Sequence, residues 1–204
     1  MLNKGRAAEA GHFHAVRFYE DAQSLSRMVA TFVAEGFIES LPAIIIATPE
    51  HLDAIFEKLS AMSFDLDHVK RQGDLIVLDA RDTLALFMVD GMPNAEKFEA
   101  TMLPVIDRVC RGRQDCVIRA YGEMVDVLWK DGCEAAAVRL EMLWNQLANT
   151  RKFSLLCGYS MGSFYKDAAF DAICHQHTHV LSIDGAAAPV KVHLAHAAPE
   201  SKVS

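Results

Sequence analysis

Short, nearly unbroken apolar runs alternate along this chain with segments whose apolar residues fall at helical spacing, and that alternation leaves few folds open. The runs are HAVRFYE (14–20), PAIIIAT (42–48), DLIVLDA (74–80), CVIRAYGEM (116–124), FSLLCGY (153–159) and HVLSI (179–183). A run such as IIIA has no polar face, so its strand must be covered on both sides. Between the runs lie stripes at helical spacing: Leu25, Met28, Val29, Phe32 and Val33; Leu52, Ile55, Phe56 and Leu59; Phe98, Met102, Val105, Ile106 and Val109. A long helix with Leu140, Leu143, Trp144 and Leu147 follows the fourth run, and shorter helices are expected over TLALFMV and from Asp167 to Ile173. Thr48 and Pro49 suit the cap and first position of the helix that follows the second run. Repeated β–α alternation predicts an α/β fold, a doubly wound and mostly parallel sheet with helices on both faces. One domain over residues 12–184 is expected, after a small polar lead at 1–11 and before a partly mobile tail at 185–204. Within that tail PVKVHLAH could add an edge strand, but none is assigned.

Composition narrows the function classes. The 204 residues carry a net charge of −7, so no basic field exists to attract a phosphate backbone, and direct nucleic-acid binding is not expected. No run approaches the roughly 18 apolar residues of a membrane span, and the N-terminus has no signal-like apolar core. Five cysteines, odd in number and without a CxxC pair, suit a reducing cytoplasm better than a disulfide framework.

In an open parallel sheet, ligands collect at the carboxyl ends of the strands, because helices occupy both faces. Those ends carry Tyr19 and Glu20, Thr48, Asp79, Tyr121-Gly122-Glu123, and Tyr159-Ser160. Such a crest of aromatics and carboxylates could enclose a small molecule. Equally, tyrosines and acids at strand ends serve as solvated rim and helix caps. Glu123 stands where RecA-type ATPases place a metal-binding or water-activating acid, but a base needs a substrate beside it. The first strand leads into FYEDAQS, which has no glycine, no lysine and no GxxxxGK[ST], so no phosphate cradle forms there. Nucleotide hydrolysis is not expected, and Glu123 reads as a structural or ligand-contacting acid.

Three further motifs carry competing chemistry. Gly158-Tyr159-Ser160-Met161-Gly162 matches the G-x-S-x-G nucleophile elbow of serine hydrolases. The chain from Met161 to Ser204 is too short for two more βα units bearing an acid and a histidine, and no HGGG-like segment precedes Ser160. In Cys174-His175-Gln176-His177-Thr178-His179, an extended backbone would project the three histidines from one face, toward a zinc or copper ion, with Cys157 as a possible neighbour. A polar helix end and strand entry accounts for the same residues, and no metal site or cofactor is assigned. His14 and Phe18 share one face of the first strand, where a histidine could touch a ligand or sit half-buried in the core.

Taken in order, HAVRFYED, IIIATPEH, GDLIVLDA, RAYGEMVDVLW, AAVRLEMLWNQL, FSLLCGY and CHQHTHVL resemble the MEDS domain, a sensory module of methanogen and methylotroph signalling proteins and of the dichloromethane-responsive repressor DcmR. The resemblance runs from about His12 to Ile183. It implies a RecA/KaiC-like fold with a degenerate P-loop and a non-catalytic role in sensing hydrocarbon-like or methylated compounds. The positions it points to are His14, Phe18 and Tyr19; Arg119, Gly122, Glu123 and Trp129; Glu141 and Trp144; Cys157 and Tyr159; and His177, to which the strand ends add Glu20 and Tyr121 as ligand-contacting candidates. Family members occur fused to histidine kinases or DNA-binding domains, or stand alone, so the output is expected to pass through a signalling partner, a kinase or a transcription regulator, the alternative being a stand-alone ligand binder. The alternatives are an oligomeric interaction scaffold without a ligand, and a serine hydrolase using Ser160.

Overall fold

The computed structural model describes residues 13–163, 173–181 and 187–189. In chain order its elements are β1 (Phe13–Tyr19), α1 (Ala22–Ile38), β2 (Ala43–Ala47), α2 (Pro49–Ala61), α3 (Leu66–Gln72), β3 (Leu75–Asp79), α4 (Ala80–Phe87), β4 (Met88–Val89) and β5 (Met92–Pro93). Then follow α5 (Ala95–Val109), β6 (Ile118–Gly122), α6 (Met124–Lys130), α7 (Glu134–Ala148), β7 (Phe153–Ser160), β8 (His179–Leu181) and β9 (Ala187–Pro189). The main sheet has the order β3-β2-β6-β7-β1-β8-β9. Its first six strands are parallel, and β9 closes the edge antiparallel to β8. The doubly wound α/β architecture is therefore present as the sequence pattern predicts.

The period of the strands divides the core in two. Ala15 and Tyr19, Ala43, Ile45 and Ala47, Tyr121 and Leu156 pack with α1 and α2. Their neighbours in sequence, Val16, Ile44 and Ile46, Ala120, Leu155 and Cys157, pack with α4 to α7. Because side chains alternate across a strand, a strand buried on both faces must be apolar at every position. All five residues of β2 are buried, which is why IIIA shows no alternation.

Local expectations were altered in three places. The TLALFMV segment is helical only to Phe87, and Met88–Val89 pairs with Met92–Pro93 as a hairpin. Asp90 (φ 49°) and Gly91 (φ 77°) turn it, an Asp-Gly step of the kind a two-residue hairpin demands. The long helix after β6 is two helices, α6 and α7, separated at Gly132 (φ 74°). Thr48 is the N-cap of α2, but its side chain makes no cap hydrogen bond. The expectation against disulfide pairing is also corrected: Cys110 and Cys116 are bonded across the α5–β6 connection, with Cα atoms 5.7 Å apart. Sequence spacing alone cannot show that a turn brings two cysteines to bonding distance. Cys133, Cys157 and Cys174 are outside any disulfide.

Of the remaining expectations, the 1–11 lead, most of the 167–173 helix and most of the 185–204 tail lie outside the described residues. No helix among the described residues is long and apolar enough to cross a membrane.

Candidate functional site

The sequence-predicted residues fall into two clusters, with the exposed Glu20 and Arg119 outside both. The first cluster is the crest at the carboxyl ends of the strands. Glu123 caps α6 directly after β6 and is 1% exposed. Its Oε1 accepts the Thr48 N–H at 2.5 Å, and its Oε2 takes His51 Nδ1 at 2.7 Å and the Tyr121 hydroxyl at 3.2 Å. One helical turn on, buried Asp126 accepts the Ser160 N–H (2.9 Å) and the Tyr19 hydroxyl (2.6 Å). The Lys130 ammonium completes the set, 2.8 Å from Asp126, 3.0 Å from Tyr19 Oη and 5.5 Å from the centroid of the Tyr19 ring. Burial, followed by Asp126, pushes the Tyr19 hydroxyl far up, and burial with Glu123 does the same for Tyr121, so both remain donors. The hydrogen bond that His51 makes to the Glu123 carboxylate raises the His51 pKa, against the opposing effect of burial.

The start of α1 lies beside this crest, and its anion site is already taken. The Asp21 carboxylate accepts the Ser24 N–H at 2.6 Å in a capping box. A phosphate at a helix N-terminus uses those same amides. Any phosphate here would displace Asp21 and face the two buried carboxylates of Glu123 and Asp126. Glu20, next to the cap, is exposed.

The second cluster lies deeper, on the α7 face of the sheet, and is wholly buried. His14 (β1), Glu141 (α7) and Cys157 (β7) meet there with His177, which precedes β8. His14 Nε2 lies 3.1 Å from Glu141 Oε2 and 3.3 Å from Cys157 Sγ, and Cys157 Sγ lies 3.4 Å from the same carboxylate oxygen. His177 Nε2 is 3.4 Å from Glu141 Oε1, to which the Tyr159 hydroxyl also donates, at 2.8 Å. Each imidazole is fixed through its other nitrogen. His14 Nδ1 bonds Asn145 Oδ1 (2.9 Å), whose amide nitrogen donates to the Gln176 carbonyl, and His177 Nδ1 bonds the Ile173 carbonyl (2.7 Å). Burial, then His177, lowers the pKa of His14. Burial alone would raise Glu141, but the two histidines hold it well below the usual carboxylate range. Burial and Glu141 push the Cys157 thiol up. Tyr159 also carries an aromatic layer, with Phe18 at 6.1 Å and Trp129 at 6.0 Å between ring centroids.

Arg119 lies farthest from both clusters. It sits near the amino end of β6 over the last turns of α1, 3.4 Å from Glu39 and 3.9 Å from Glu35, with its guanidinium over Phe32. It therefore joins neither cluster.

The histidine run does not converge as an extended segment would. His177 points into the buried centre, His175 is exposed on a turn, and His179 stacks on Phe13 at 4.9 Å. Ser160 ends β7 as regular strand without positive φ, and its N–H is held by Asp126. The strained strand-to-helix turn of a nucleophile elbow is not reproduced. Sequence reasoning missed His51, Asp126, Lys130 and Asn145. Asp126 and Lys130 follow Glu123 at helical spacing, a signal that becomes readable once Glu123 is taken as an N-cap.

This arrangement defines a RecA-like parallel α/β domain whose β1–α1 turn is closed by its own carboxylate. The solved structure of a KaiC-like protein from the hyperthermophilic archaeon Pyrococcus horikoshii OT3 shares the fold. The two superpose with a TM-score of 0.53 at 11% identity, over 81% of this chain and 70% of the archaeal one. Residues 13–177 match the model of the MEDS family, the methanogen/methylotroph, DcmR sensory domain, and the chain belongs to that family. Among curated proteins, none matches it.

Proposed function

We propose that this sensory domain is non-catalytic, and that it binds a small methyl-bearing cation at the crest and passes the bound state to a signalling partner, a histidine kinase or transcription regulator. The observation that carries the proposal is the half-exposed Lys130 ammonium, bonded to the Tyr19 hydroxyl and set against the buried Asp126. An aromatic side chain and a buried carboxylate that share one cation are the groups by which methylated amines are recognised. A ligand of that class would take the place of Lys130, the last residue of α6, and would move a helix that packs directly on α7. The closure of the α1 N-terminus by Asp21, together with two buried acids, speaks against nucleotide as the ligand. Glu123 is bound by Thr48, His51 and Tyr121, which supports a structural role rather than that of a base.

Thermal unfolding with methylammonium, trimethylammonium and ATP–Mg2+ tests this. A ligand at a hundred times its Kd adds about 2.7 kcal/mol of stability. A methylated cation should therefore raise the Tm by several degrees, ATP–Mg2+ should not, and Tyr19→Ala should remove the shift. Stabilisation by ATP–Mg2+ alone, or a shift that survives Tyr19→Ala, would overturn the proposal.

A further inference from the structure

We infer that His14, Glu141, Cys157 and His177 form a binding site for one zinc-class divalent ion, with His14 Nε2, His177 Nε2, Cys157 Sγ and a Glu141 oxygen as its four ligands. The site is separate from the crest and does not depend on what binds there.

Geometry comes first. One donor atom from each of the four residues lies within 4.8 Å of all the others. Three of the separations are 3.1, 3.3 and 3.4 Å. A tetrahedral zinc with ordinary Zn–N and Zn–S bonds has ligand-to-ligand edges of about 3.3–3.6 Å. The face made by His14, Cys157 and Glu141 thus has edges close to those of that tetrahedron, and the edges to His177, at most 4.8 Å, must shorten to complete it.

The hydrogen bonds around the cluster then decide what the imidazoles present. Both Nδ1 atoms are committed outward, to Asn145 Oδ1 and to the Ile173 carbonyl, each of which accepts a proton. A neutral imidazole held this way turns its Nε2 lone pair toward the centre, the outer-shell pattern of metal-ligating histidines. Among the described residues, two buried side-chain polar atoms lack a hydrogen-bond partner, Arg119 Nε and His177 Nε2. The second is aimed into this cluster, 3.4 Å from a carboxylate oxygen that is itself an acceptor. Where the imidazoles are neutral, acceptors that converge in a site of 0% side-chain exposure need a cation between them, a role a proton or a metal ion fills.

Charge balance agrees. One ionised carboxylate and one thiolate neutralise a divalent ion, so the loaded site is neutral in a place where net charge is costly. Binding would form the metal–sulfur bond as the Cys157 thiol releases its proton to solvent, together with any proton held on the histidines. Two nitrogens, one sulfur and one oxygen favour zinc over magnesium or calcium, which prefer oxygen alone. With four protein ligands the site is closed and structural in type. It would clamp the segment carrying His177 and β8 onto β1, β7 and α7.

The test is metal content of the full chain made without a histidine tag, stripped, reloaded with Zn2+ or Co2+ and freed of excess ion. One equivalent per chain is expected, with a thiolate-to-cobalt charge-transfer band in the Co2+ form. Cys157→Ser should abolish the band and His177→Gln should lose the equivalent, whereas His175→Ala should keep both. Asn145→Ala should weaken affinity about 10- to 100-fold, read by chelator competition. Wild-type protein that keeps no equivalent after reloading would overturn the site without any need for variants. So would an equivalent that both Cys157→Ser and His177→Gln retain.

Discussion

The Tyr19 hydroxyl donates to Asp126 Oδ2 at 2.6 Å, joining the end of β1 to α6 across 107 residues of sequence. Asp126 is 2% exposed, so its charge depends on these partners. Tyr19→Phe keeps the ring and removes the donor. It should cost about 1–3 kcal/mol, the usual loss for a hydrogen bond to a buried charged group. A lower urea midpoint at unchanged m would show this. An unchanged midpoint would mean that Lys130 and the Ser160 N–H suffice for Asp126.

The pairing of His51 with Glu123 makes stability depend on pH. Glu123, the main cause, raises the His51 pKa above its ordinary value of 6.5; Glu50 adds to this, while burial and Lys130 oppose it. A group whose folded pKa lies above the unfolded one stabilises fully below the unfolded pKa, and the gain is lost as pH rises through the folded value. The stability difference between wild type and His51→Gln should therefore be larger at about pH 5.5 than at about pH 8. Chemical denaturation at both pH values measures it, and a difference that stays flat or grows with pH would contradict this assignment.

Gly158 is required by packing rather than by a hydrolase motif. A Cβ there would stand 3.0 Å from the Tyr121 hydroxyl and 3.3 Å from Leu25 Cδ1. The hydroxyl cannot retreat freely, because it bonds Glu123 at 3.2 Å. Gly158→Ala should destabilise by about 1–3 kcal/mol, the range for overpacking a filled core. Tyr121→Phe in the same chain should recover part of that loss, a coupling that a double-mutant cycle detects. Gly162→Ala, whose nearest neighbour is Ser160 Oγ at 3.9 Å, should change little.

The sheet was legible in the sequence because burial on both faces writes itself as apolar runs, as in Ala43–Ala47 and Phe153–Ser160. The hairpin at Met88–Pro93 was hidden because two-residue strands are too short to show a period. The resemblance to the family pointed to His14, Glu141, Cys157, Tyr159 and His177, and these do meet in one buried centre. Tyr19, Tyr121 and Glu123 share the crest, whereas Arg119 lies at the opposite end of the sheet.

By itself, then, the sequence determined the β–α alternation and the absence of a phosphate loop after β1. Both are local properties: the first follows from side-chain period, the second from missing glycine and lysine. Only the tertiary structure decided what stands there instead. Asp21 caps α1 by local chemistry, but Asp126, Glu123, His51 and Lys130 reach the crest through strand order, which brings β6 and β7 between β1 and β2. That order also sets His14 opposite Cys157, Glu141 and His177. No spacing rule relates residues up to 163 positions apart, because their contact follows from how the sheet is wound rather than from any segment of the chain.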